Sequence, residues 1–73
     1  MTVQLAIAKY MKRDGYDNAY ALVQAIKAAN GKVSEATIYR LVRDGGKVDN
    51  VRADTLEALA KLFKVDVADL FVR

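Results

Sequence analysis

A chain of 73 residues carrying a net charge of +3, with 53% hydrophobic and 29% charged residues, has the make-up of one folded unit spanning 1–73 rather than of a disordered segment. It contains no cysteine and no histidine, which removes disulfides, the usual zinc sites, the thiol nucleophile and the commonest catalytic base, so neither a cofactor nor an enzymatic activity is expected. The opening "MTVQLAIAKYMKRDG" has too short an apolar run, and no basic stretch ahead of it, to be a secretory signal or a membrane span. A cytoplasmic chain without a membrane partner is expected.

The absence of proline and the placement of glycines at 15, 31, 45 and 46 divide the sequence into helical segments. The first runs from about 2 to 14, with Val3, Ile7, Tyr10 and Met11 on one side and Gly15 closing it. Asp17 is read as the cap of a second helix reaching about Asn30, with Leu22, Ala25, Ile26 and Ala29 as its buried stripe and Gly31 beyond its end. Ser34 caps a short third helix, about 34–44, whose inward residues are Ile38, Leu41 and Val42 and which Gly45 and Gly46 stop. Residues 44–53 read as a loop. A fourth helix covers about Asp54 to Lys64, with Leu56, Leu59, Ala60 and Phe63 facing inward. Asp66 and Asp69 then frame a final short helix that ends in Leu70 and Phe71. The expected fold is all-α, a compact bundle of about five short helices.

Charge is unevenly placed along this bundle. Between residues 27 and 52 six basic side chains face three acidic ones, whereas the remainder is balanced at six against six. Such asymmetry points to an anionic partner. On a helix turning about 100° per residue, Ala36, Arg43 and Arg40 fall at roughly 140–200° from Ile38, and Tyr39 at about 100°. They lie opposite the core stripe, with Lys32 and Lys47 at the two ends. Arginine can grip guanine bidentately or pair with phosphate, and a small alanine lets a helix come close to a groove and touch a thymine methyl. Two helices packed across a glycine-containing turn, the second short and capped by serine, are the arrangement of a helix-turn-helix.

At these residues the sequence resembles a known family. "KVSEATIYRLVRDGG" is similar to the recognition-helix segment of the phage Cro and repressor, or Xre-type, helix-turn-helix domains, and "RADTLEALAKLFKVDVADLF" is similar to their closing two helices. The resemblance covers roughly residues 16–71. One departure is "AIKAANGKVS", which holds extra residues where the family usually has a tight turn. The resemblance implies a lambda-repressor-like DNA-binding fold and a sequence-specific regulator, a repressor, of bacterial or phage origin that is associated with the nucleoid when bound. It makes Glu35, Ala36, Tyr39 and Arg40 candidates for base contact, with Arg43 reading a base or holding phosphate. Ser34, Thr37, Asn18 and Tyr20 become candidate phosphate contacts beside Lys32 and Lys47.

Such regulators commonly act in pairs on half-sites of an inverted repeat, about one helical turn apart. Leu62, Leu70, Phe71 and Val72 form the apolar end from which a weak homodimer contact would come. The alternative reading of the same exposed face is a helical protein-interaction module, because tyrosine and arginine also dominate protein interfaces.

Overall fold

The computed structural model describes residues 3–72. In chain order these form strand β1 (Val3–Gln4), helices α1 (Ile7–Asp14), α2 (Ala19–Ala28) and α3 (Glu35–Arg43), strand β2 (Lys47–Val48), helix α4 (Ala53–Phe63) and a 3-10 turn (Val67–Leu70). The molecule is mostly helical, as the sequence implies, but two elements differ in kind from the expectation of five helices. The last helix is a single 3-10 turn, and a small antiparallel sheet pairs Val3 with Val48 and Gln4 with Lys47.

That sheet corrects the start of the first helix, which begins at Ile7 and not near residue 2. Val3 and Ile7 do have helical spacing, yet Leu5 is almost completely buried and its neighbours bond to distant backbone. Leu5 donates to the Gly46 carbonyl at 2.8 Å, Ala6 to the Leu70 carbonyl at 2.6 Å, and Val72 to the Gln4 carbonyl at 2.8 Å. Residues 3–6 are thus held on one side by the exit of α3 and on the other by the segment after the 3-10 turn. Tertiary hydrogen bonds outweigh local helix propensity here, since a buried backbone group left unpaired is costly.

The helix ends follow from named caps. The Asn18 side chain, and not that of Asp17, accepts the Ala21 amide at 2.8 Å and opens α2. The helix stops at Ala28, with Asn30 in the left-handed region at φ 61°. Ala29 lies after its end and is exposed, contrary to its expected place in the buried stripe. The Gly31 amide donates to the Ile26 carbonyl at 2.9 Å and closes the end of α2 at close quarters: a Cβ there would sit 2.6 Å from Ile26 Cγ2, which would have to shift. Helix α4 leaves through Lys64, also left-handed at φ 59°.

The core gathers Leu5, Ile7, Leu22, Val23, Ile26, Ile38, Leu59, Phe63 and Leu70, each 1% exposed or less. Each such side chain contributes about 1.5–3 kcal/mol relative to exposure. Helix α2 packs on both α3 and α4, α1 leans on α3, and α4 covers the 3-10 turn. Phe63 lies at the junction, with its ring 5.3 Å from Tyr10 and 6.3 Å from Tyr16. Val42 and Leu56, expected inside, are half-buried at the edge of this core.

Candidate nucleic-acid interface

Helix α3 is positioned by its apolar side. Ile38 and Leu41 are buried against the core, and Thr37 and Val42 flank them half-buried. The remaining residues of the helix, Glu35, Ala36, Tyr39, Arg40 and Arg43, are all exposed, Tyr39 at 41%. The nine residues of α3 therefore yield a strip of candidate reading side chains with the core directly behind it. The Ser34 hydroxyl accepts the Thr37 amide at 3.5 Å, a long capping bond that still leaves the hydroxyl accessible.

Lys32 and Lys47 are exposed before and after α3. A shallow cleft along one flank of the helix is lined by Thr37, Arg40 and Asp44 together with Lys47, Asp49 and Asn50 of the following loop. A second, at the start of the helix, brings Lys32, Ser34 and Thr37 beside Arg52 and Asp54 at the start of α4. Asn50 and Arg52 were not singled out by the helical reading of the sequence. Arg52 is signalled only by the excess of basic residues in the middle of the chain. Asn18 and Tyr20 sit at the start of α2, both exposed, with Tyr20 at 60%. Because the Asn18 carbonyl oxygen is used as a cap, the amide nitrogen is the part of that side chain left to meet a ligand.

The charges on α3 are partly matched within the protein. Lys27, near the end of α2, reaches Glu35 at the start of α3, Nζ to Oε2 3.3 Å. At the other end Arg43 grips Asp44 with two bonds, Nε to Oδ1 at 3.0 Å and Nη2 to Oδ2 at 3.3 Å. This fork, helped by the charges of Arg43 and Arg40, holds the Asp44 carboxyl below its ordinary range and raises the Arg43 guanidinium. Both side chains are well exposed, so these shifts mark geometry and not a large store of stability.

The family model of the Cro/C1-type helix-turn-helix DNA-binding domain matches residues 6–73. The chain belongs to that family. The partner of this Cro/C1-type domain is accordingly DNA, and α2 and α3 pack against each other across the turn between them. No curated protein and no solved structure matches the chain significantly. The family match begins at Ala6, so strand β1 lies outside the matched span. Among the described residues no helix of the domain is long and apolar enough to cross a membrane.

The apolar end expected to mediate self-contact is divided by the structure. Leu70 is fully buried beneath α4, which withdraws it from that group, because a side chain already surrounded by the core has no surface to offer. Leu62 and Phe71 are half-buried, Phe71 being bridged to Leu5, and Val72 is 50% exposed.

Proposed function

We propose that residues 1–73 form a single sequence-specific transcriptional regulator, a repressor, that places α3 in the major groove of double-stranded DNA and occludes a promoter. The observation that carries this reading is the one-sided exposure of α3, with Ala36, Tyr39, Arg40 and Arg43 outward and Ile38 and Leu41 inward. A helix so divided can enter a groove about 12 Å wide without disturbing the core. In this reading Arg40 grips a guanine edge, Tyr39 and Ala36 contact neighbouring bases, and Glu35 accepts from a cytosine amino group once freed from Lys27. Lys32, Ser34, Thr37 and Lys47, with Asn18 and Tyr20 across the groove, meet phosphates and fix the register. Two copies bind the halves of an inverted repeat, weakly joined through Leu62, Phe71 and Val72.

Selection of bound sequences from a random duplex pool tests this directly. The selected site should show a symmetric repeat with half-sites about one helical turn, or a multiple of one, apart. Arg40→Ala should then lose about 1–3 kcal/mol on that site and relax preference at one base position. Equal binding of all sequences by parent and variant, with no dependence on salt, would remove α3 as the reader and favour a protein partner instead.

A further inference from the structure

Arg-Asp-Gly ends two helices of this domain, at 13–15 and at 43–45, and both arginines fork onto the aspartate that follows. At α1 the bonds are 2.8 Å and 3.0 Å, and the fork has a structural task. Arg13 Nη2 also donates to the Phe63 carbonyl, and its guanidinium lies 4.9 Å over the Tyr10 ring. At α3 the matching fork opens to solvent, with the Arg43 side chain 69% and that of Asp44 45% exposed, against 45% and 28% for the α1 pair.

A hydrated pair of this kind adds little to folding. An aspartate at the C-terminal end of a helix also opposes the helix dipole, which favours a cation there. The effect of Asp44 is therefore on Arg43 itself. A carboxylate gripped by two parallel N–H bonds presents two acceptors side by side, as a phosphate or the O6 and N7 edge of guanine does. In the free protein Asp44 occupies the side-on fork of Arg43, its Nε and one Nη2 donor, and the charge of Arg40 adds to the pull on the Asp44 carboxylate.

Resting on the reading of α3 as the DNA-reading helix, we propose that Asp44 is a specificity-determining residue that withholds Arg43 from non-matching DNA. In hydrated contact with a random duplex Arg43 meets backbone phosphate through water, an exchange that gains little over the carboxylate it already holds. A matched site that presents both acceptors at once does displace it. Asp44 thereby lowers affinity for random sequence more than affinity for the matched one.

The test measures binding of the 73-residue chain to a random-sequence duplex and to the duplex selected from a pool, over a series of salt concentrations. Parent, Asp44→Asn, Arg43→Gln and the double variant are compared. Asparagine keeps the shape of the helix end but cannot hold the guanidinium as an ion pair. Asp44→Asn should tighten the random duplex about two- to fivefold more when Arg43 is present than when it is glutamine, the span expected of an exposed ion pair. It should steepen the salt slope by about 0.9, one more phosphate neutralised, only when Arg43 is present. The preference for the selected duplex should fall.

Equal gains and equal slopes in both backgrounds overturn the proposal, since Asp44 would then act only as a nearby negative charge. Weaker binding of the selected duplex by Asp44→Asn, without a gain on random sequence, overturns it as well and makes Asp44 a positioning residue for Arg43. Failure of the underlying reading looks different. A parent chain that binds neither duplex brings down both, whereas a parent that binds both and is indifferent to Asp44→Asn brings down the Asp44 proposal alone.

Discussion

Helices α1 and α3 leave through the same three residues and the same left-handed glycine geometry, φ 80° at Gly15 and φ 67° at Gly45, yet the two exits are surrounded differently. After α1 the chain turns in open space, and Arg13 reaches inward to the end of α4. After α3 a second glycine follows. A Cβ on Gly46 would lie 2.0 Å from the Leu5 carbonyl oxygen, so the backbone itself is pressed against the N-terminal strand while Arg43 faces solvent. At one exit the arginine anchors to another helix and the turn is uncrowded; at the other the turn is pressed against β1 and the arginine, held by its own Asp44, faces solvent. A local motif fixes its internal geometry, and its surroundings decide which part of it is left for a partner.

The largest effect expected on this comparison comes from the anchor of the first exit. Phe63→Ala removes a fully buried ring that stacks on Tyr10, and should cost about 3–5 kcal/mol. That is a large share of the roughly 5–15 kcal/mol available to a domain. Ile38→Ala, beneath α3, should cost about 2–5 kcal/mol. Denaturant unfolding that ranked Ile38→Ala well above Phe63→Ala would move the structural anchor to the α3 side.

Next in size are the glycines. Gly15→Ala meets no atom within 4 Å and carries only the left-handed penalty, about 1–2 kcal/mol. Gly46→Ala must also displace strand β1 and break the bond from Leu5, so it should be the more destabilising of the two in thermal melts. Similar melting temperatures for the two variants would mean that β1 yields freely and does not brace the α3 exit.

The arginines should separate stability from binding. Arg13→Ala loses the bond to Phe63 and the ring contact, and should lower Tm while leaving duplex affinity unchanged. Arg43→Ala should leave Tm nearly intact and weaken binding of the selected duplex by about tenfold, within the span of a lost bidentate contact. Parallel melts and binding isotherms decide this, and an exchange of the two phenotypes would reverse the roles assigned here.

The smallest effect is in titration. Arg13 and Arg43 each hold the neighbouring carboxyl below its ordinary value, first by hydrogen bonding and then by charge, with Lys64 adding to Asp14 and Arg40 to Asp44. A lowered folded-state value means that each pair contributes stability above the unfolded carboxylate range and loses it as pH falls through the depressed value. Arg43→Gln should raise the Asp44 midpoint toward normal in a carboxyl-resolved NMR titration and leave that of Asp14 in place. A joint shift of both would show that the two exits are coupled.

The helical skeleton and the family were legible in the sequence because α2, α3 and α4 are specified locally, by apolar spacing and by caps such as Ser34. The outward strip of α3 could be read by the same rule, since Ile38 and Leu41 fix the rotation of every other residue on that helix. What could not be read depends on contacts distant along the chain. Leu5 has the look of a helix residue until it meets Gly46 and Phe71. Asp17 and Asn18 are both good caps, and only the position of the first helical turn selects Asn18. The pairing of Lys27 with Glu35 requires the angle between two helices, which no spacing supplies.

The bonds from residues 4–6 to Gly46 and to residues 70–72 join positions separated by most of the chain. Closing such a loop requires its conformational entropy to be lost before the contact can repay it. The α2–α3 turn, by contrast, closes over a few residues. The zipping of residues 3–6 is therefore expected late in folding and early in unfolding. Amide hydrogen exchange at Leu5 and Ala6 should outpace that at Leu22 and Val23, and the exit of α3 should loosen with the chain ends while the helix pair itself stays closed.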